Sequence, residues 1–232
     1  MAETQITLLV IVNKILDRLR EASATGVDDS DYTRLLVQLI NDAKREVEDA
    51  FNWNSLYKTI PITTVASTST YALTDDSTDY TDQRTRVVEV FDVTNDCYIT
   101  QRPRDFIRRL KNDDDTVEQG PTWYAFDGLD SDQNLQLIFH HTPGGAYTIN
   151  VTVYSPQEDV DTDNDTITVP WYPVYLRALG LALRERGDDE GFNSEEAFAE
   201  YNKALNDAIA YEQRRRYENT HDGDWHIVTN GF

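Results

Sequence analysis

Two helix-patterned blocks bracket a long strand-rich block, and that order constrains the fold more than any other feature of the chain. Alternating strand and helix units would build a parallel sheet with a crevice for small ligands. Helices, then strands, then helices build an α+β body instead. The expected architecture is an antiparallel helical bundle made from two N-terminal and two C-terminal long helices. It carries an inserted antiparallel β-rich domain and trails an extended C-terminal arm.

In the first block, residues 4–23, Leu8, Ile11, Ile15, Leu19 and Ala22 share one face at helical spacing. Gly26 breaks the pattern, and Asp28, Asp29, Ser30 and Asp31 offer caps for a second helix over 31–53. Its apolar stripe is Leu35/Leu36, Leu39/Ile40, Ala43, Val47, Ala50 and Phe51, and the short link makes the pair a hairpin. Trp53 follows this stripe and precedes Leu56, which places it in the core where the pattern changes.

From Leu56 the period becomes that of strands. Segments 59–65, 86–93, 97–101, 122–126, 135–139 and 147–154 are rich in β-branched and aromatic residues, with Asp, Asn, Gly and Ser between them. Pro143-Gly144-Gly145 reads as a hairpin turn between the last two strands, and 103–110 reads as a short helix opened by Pro103. Pro170 opens a third long helix that Gly187 ends at 186, and Asn193 or Ser194, with Glu196, caps a fourth. The stripe of that fourth helix is Ala197, Phe198, Tyr201, Ala204, Leu205, Ala208 and Tyr211. The divisions are therefore 1–55 for the N-terminal hairpin, 56–168 for the β insertion, 169–217 for the C-terminal hairpin and 218–232 for the arm.

Charge narrows the function. The chain has 42 Asp+Glu against 21 Lys+Arg, a formal −21 over 232 residues. Such a surface repels phosphate and anionic lipid, which argues against nucleic-acid coating. The lone Cys97 excludes an internal disulfide framework. The apolar run 6–12 is too short to span a bilayer and follows acidic Glu3, so neither a signal peptide nor a membrane helix is expected.

Residues that invite a chemical reading have blander explanations. Asp159, Asp161, Asp163 and Asp165 alternate as in a calcium loop, but no frame supplies the Gly and Glu such a loop needs. They read as a solvated acidic loop, as do Asp113-Asp114-Asp115 and Asp75/Asp76/Asp79/Asp82. His140 and His141, adjacent at a strand end, should point to opposite faces and cannot share a metal. No nucleophile elbow, phosphate loop or dinucleotide fingerprint is present, so neither enzyme chemistry nor any cofactor or metal is expected. Arg214-Arg215-Arg216 either complements the end of the fourth helix or docks on an acidic partner. In the aperiodic tail, Trp225, Ile227, Val228 and Phe232 cost solubility unless they dock somewhere.

Residues 35–56, "LLVQLINDAKREVEDAFNWNSL", resemble the second helix of head-to-tail adaptor (connector) proteins of short-tailed bacteriophages, where a Trp-bearing turn leads into a β block. The strand "YTINVTVYSPQED" at 147–159 and the helix "VPWYPVYLRALGLALRERGD" at 169–188 resemble the later part of such adaptors. The resemblance implies a structural virion protein, made in the host cytoplasm and built into the neck. It implies a ring, typically of twelve copies, between the portal and the tail nozzle, part of a channel through which DNA passes without specific binding. It also implies fibre contacts on the β side. Arg214, Arg215, Arg216, Trp225, Ile227, Val228 and Phe232 become the portal-docking set. The alternative is a β-rich tail or baseplate module that recognises carbohydrate or another tail protein, with Tyr71, Tyr80, Trp123 and Tyr124 as a stacking platform.

Overall fold

The computed structural model describes residues 6–75, 79–80, 84–113, 120–187 and 192–220, with backbone alone at 75, 79, 80, 192 and 216–220. The protein is α+β and divides into two compact units. One is helical and discontinuous, formed by Met1–Ser55 and Gln157–Phe232; the other is Leu56–Pro156.

In the helical unit, α1 spans Leu8–Arg18, α2 Asp31–Ala50, α4 Trp171–Arg186 and α5 Phe192–Thr220; α3 belongs to the β unit. The first helix is shorter at both ends than its pattern predicts. Thr7 forms a bridge with Thr166 instead of a first turn, and Arg20 takes a φ of 60°. The Asn13 side chain donates to the Ala24 carbonyl at 3.1 Å and accepts from its N–H at 2.8 Å, folding the chain back before residue 23. Helix α2 begins at a reciprocal cap: Ser30 Oγ accepts from Thr33 N–H at 3.1 Å, and Thr33 Oγ1 accepts from Ser30 N–H at 3.0 Å. It stops at Ala50, three residues before the predicted end, because Trp53 turns back and its indole N–H donates to Val47 O at 2.7 Å. That bond occupies one of the carbonyls a helix end leaves without a partner. Trp53 is 1% exposed, in the core as its sequence position suggests.

Helix α4 packs against α1, α2 and α5. Gly180 makes the α4–α5 approach possible, since a Cβ there would lie 2.5 Å from the Phe198 ring. Gly187, at a φ of +66°, closes α4 in the left-handed conformation that glycine adopts without strain. The fourth long helix starts at Phe192, so Asn193 and Ser194 lie inside its first turn rather than capping it. It runs on to Thr220, past the boundary expected at 217. Ala197 and Tyr201 are buried, but Tyr211 is 65% exposed and Glu212 takes the inward position.

Among the described residues the β unit holds ten strands: β1 Tyr57–Thr63, β2 Thr70–Ala72, β3 Thr74–Asp75, β4 Asp79–Tyr80, β5 Arg86–Asp92, β6 Cys97–Tyr98, β7 Thr100–Gln101, β8 Trp123–Leu129, β9 Leu135–His140 and β10 Thr148–Tyr154. One sheet runs β1-β10-β5-β6 and a second β2-β9-β8-β7, with β3-β4 a separate ribbon. All described pairings are antiparallel except β7 with β8. Strands β2 to β4 escaped the sequence pattern because two or three residues are too few to show a period. Both larger sheets contribute to one core, in which Ile60, Val90, Leu137, Phe139, Val151 and Val153 meet.

The link at Pro143-Gly144-Gly145 is not a hairpin turn. It joins β9 in one sheet to β10 in the other. Ser67 N–H donates to Pro143 O at 2.9 Å and Thr64 Oγ1 to Gly145 O at 2.8 Å, so the link is fastened to the chain leaving β1. Helix α3, Arg104–Asp113, begins one residue after Pro103 and packs on β8 and β9, with Ile107 buried beside Ala125 and Ile138. Strand β9 is therefore buried on both faces at Leu137, Ile138 and Phe139, which explains their consecutive apolar side chains.

Candidate interaction surfaces

The arginine run lies on α5, but not at its end. The helix continues four residues past Arg216, so dipole compensation, which fades beyond the last turn, does not account for the cluster. Arg215 reaches Glu212 at 3.2 Å, and the Arg214 guanidinium lies 5.9 Å from the Tyr211 ring centre. Glu212 is 6% exposed and its other oxygen accepts from Asn54 N–H at 2.9 Å, tying α5 to the short turn Asn54–Leu56. Arg215 thus neutralises a buried carboxylate while its own side chain stays 73% exposed. The Arg216 side chain and Trp225, Ile227, Val228 and Phe232 lie outside the described residues.

The alternating aspartates are not simply solvated. Asp165 accepts from Asp161 N–H at 2.9 Å, from Thr162 N–H at 2.8 Å and from the Thr162 hydroxyl at 2.7 Å. These bonds, the Thr162 hydroxyl foremost, hold its carboxyl below the usual carboxylate range. Asp163 accepts from Val27 N–H at 2.8 Å, and Asp159 pairs with Arg45 at 2.7 Å. On the facing turn, Asp29 accepts from Thr25 hydroxyl and backbone and from Gly26, which likewise lowers its pKa. Among the described residues no group of three or more His, Cys, Asp or Glu is arranged to hold a metal ion. Asp76, Asp82, Asp114 and Asp115 lie outside the described residues.

His140 and His141 do not point to opposite faces. Their rings stack at 4.3 Å, because β9 ends at His140 and strand alternation stops there. Trp123 stacks on His140 at 5.6 Å, and Phe106 from α3 meets its edge at 5.9 Å. The expected stacking platform is not assembled. Tyr124 is 5% exposed in the sheet core, and the Tyr71 hydroxyl is bonded to Val65 and Thr68 while its ring packs on Phe139. The Tyr80 side chain is outside the description.

Sequence reasoning missed a polar seam on α2. Asn41, Lys44 and Glu48 are all buried, and together they hold the chain where it re-enters the helical unit. Asn41 bonds both the N–H and the C=O of Val160 at 2.9 Å. Lys44 Nζ donates to Gln157 O at 3.1 Å and also to Glu158 O, and Glu48 accepts from Gln157 N–H at 3.2 Å. Their three- and four-residue spacing was the available signal, but it reads equally well as a solvated face.

A second cluster joins three helices. Arg177 Nε donates to Glu46 at 2.6 Å and its guanidinium lies 4.8 Å from the Phe198 ring centre, while the Tyr201 hydroxyl donates to Glu46 at 3.2 Å. Burial, then the Glu46 charge, pushes the Tyr201 pKa up to about 12. Beside it, Arg18, Arg20 and Arg186 line a groove of about 620 Å³ with Leu179, Leu183 and Glu200. Arg186 is fixed there by Leu19 O at 3.1 Å and by Glu21 at 3.2 Å.

Across these sites the polar side chains hold segments of the chain in register. Residues 6–224 match the SU10 adaptor protein family, and the chain belongs to that family. It is a family of structural phage adaptors, not of enzymes, in agreement with the resemblance of residues 35–56, 147–159 and 169–188. No curated protein matches the chain. Among the described residues, no helix is long and apolar enough to cross a membrane.

Proposed function

We propose that this protein is a head-to-tail adaptor of the virion, forming a ring of twelve copies between portal and tail nozzle through which DNA leaves the capsid. The observation that carries the reading is the family match over residues 6–224, nearly the whole chain. In this reading the helices of the discontinuous unit form an antiparallel bundle that builds the ring, and the β unit faces the nozzle and fibres. The arm that follows α5, residues 221–232, reaches the portal together with Arg214, Arg215 and Arg216, through Trp225, Ile227, Val228 and Phe232. The exposure of Arg215 supports this, since a guanidinium that already neutralises Glu212 still has donors for a partner carboxylate.

The test is co-sedimentation with portal dodecamers. Removing residues 220–232 should abolish portal binding and leave the circular dichroism and melting of the body nearly unchanged. Normal binding by the truncated protein would refute the arm's role.

A further inference from the structure

In a chain of formal charge −21, cations are concentrated in one place that the adaptor reading does not use. Residues 102–111 contain Arg102, Arg104, Arg108, Arg109 and Lys111 against the single Asp105. Helix α3 carries four of these cations and buries only Ile107 among its residues, so its polar side faces outward. Arg104 and Arg108 share one carboxylate, Asp127, at 2.5 and 3.9 Å. Arg102 and Arg109 are exposed and have no side-chain partner among the described residues. Phe106, 42% exposed, adds an apolar patch to this basic ridge.

The helical unit carries the complementary surface. The α1–α2 turn, residues 24–31, and the loop 158–165 together hold eight carboxylates and neither Lys nor Arg. They form one knob: Val27 N–H donates to Asp163 at 2.8 Å, and Leu8 and Leu9 N–H donate to Asp165 O and Asp163 O at 2.8 and 3.3 Å. Several of these acids are committed to the knob's own backbone, which makes it rigid. Asp28 and Asp161 are exposed and their carboxylates have no partner among the described residues.

We infer that the basic ridge of α3 in one copy docks on the acidic knob of a second copy. The favoured occupant is a second copy because it supplies an acidic surface of opposite sign, in which Arg45 pairs with Asp159 and Arg34 with Asp31, and because a local contact of opposite charge offsets the long-range repulsion between two −21 chains. The two surfaces differ, so the contact is heterologous and repeats around a ring when the rotation closes. The inference rests on the adaptor reading only for that closure.

Sedimentation velocity over a range of protein concentrations tests it, using the full chain. Arg102→Glu with Arg109→Glu should weaken self-association at least about tenfold, and Asp28→Lys with Asp161→Lys should do the same. An equimolar mixture of the two double variants should restore it, because each reversed surface then meets its complement. Circular dichroism of each variant separates misfolding from lost contact. Three outcomes overturn the inference: a wild-type chain that stays monomeric throughout, variants that associate like wild type, or a mixture that does not recover. Binding of short duplex DNA that is lost on reversing Arg102 and Arg109, with self-association unchanged, overturns it in favour of a nucleic-acid contact. Portal co-sedimentation of the same variants keeps the questions apart, since portal binding without the α3 contact leaves the adaptor reading standing.

Discussion

Both units fasten the chain with polar side chains, but the longest spans differ: Thr64 in the β unit reaches Gly145, 81 residues away, while several pairs in the helical unit lie more than a hundred residues apart. In the β unit, Asp92 accepts from Thr94 and Asn95, two and three residues away, and Asp130 bonds Asp132 and Asn134, two and four residues away. In the helical unit the partners are remote. Asn41 and Val160 are 119 residues apart, Glu46 and Arg177 131, Glu46 and Tyr201 155, and Asn54 and Glu212 158. A unit made from two ends of a chain must align them, and directional bonds set a register that apolar packing leaves looser. The β unit is continuous and fixes its register through its ladders, so acids such as Asp92 and Asp130 need only close turns.

The sharpest test of the helical side is at Trp53, whose indole bonds Val47 six residues away. Trp53→Ala should cost about 3–5 kcal/mol in chemical denaturation, as for other fully buried aromatics. A loss under about 1 kcal/mol would contradict its burial. Next comes Lys44. Lys44→Met keeps the length and apolar stem but leaves the Gln157 and Glu158 carbonyls without their donor. The expected loss is about 1–3 kcal/mol. Amide exchange should rise at 157–160 while β10 stays protected. A Met variant as stable as wild type would mean that the remote bonds are dispensable, and the contrast between units would fail.

Legibility in the sequence follows the same division. Ile149, Val151 and Val153 alternate with polar neighbours and do line the sheet core, because a strand's period is local. Gly187 and Pro170 marked the two ends of α4 for the same reason. The α2 face was read only in part. Leu36, Ile40, Ala43 and Val47 are buried as expected, but Ala50 is exposed, while Asn41, Lys44 and Glu48 lie inside. Nothing local distinguishes Lys44 and Glu48 from a solvated pair; their partners lie more than a hundred residues away. The sheet crossover at Pro143 failed similarly, since turn chemistry does not reveal which sheet the next strand joins. Of the portal-docking set, the structure describes the side chains of Arg214 and Arg215 alone, and their involvement with Tyr211 and Glu212 was invisible without the helix phase.

On the β side, Asp92→Ala should cost only about 1 kcal/mol, the scale of a net hydrogen-bond contribution. Asp92→Asn should recover most of that loss, because an amide oxygen still accepts from Thr94 and Asn95. Exchange should rise at 93–96 alone. If protection fell throughout β5 and β10, the acid would be holding the sheet rather than its turn.

The smallest effect compares two tyrosines at alkaline pH. Burial alone raises the pKa of Tyr124 in the β unit. Tyr201 in the helical unit is raised to about 12 by burial and, beyond that, by the charge and hydrogen bond of Glu46, against the opposing Arg177. A tyrosine in the unfolded chain titrates near about 10. With the folded value the higher one, the contribution of Tyr201 to stability is complete below about pH 10 and is lost as pH rises through about 12. Glu46→Gln removes the charge and should bring the Tyr201 titration to lower pH while leaving that of Tyr124 in place. The tyrosinate absorbance of Tyr124→Phe and Tyr201→Phe variants, each with and without Glu46→Gln, assigns the two transitions. If Glu46→Gln moved both tyrosines, or neither, the distinction between burial in the β unit and remote charge in the helical unit would not hold.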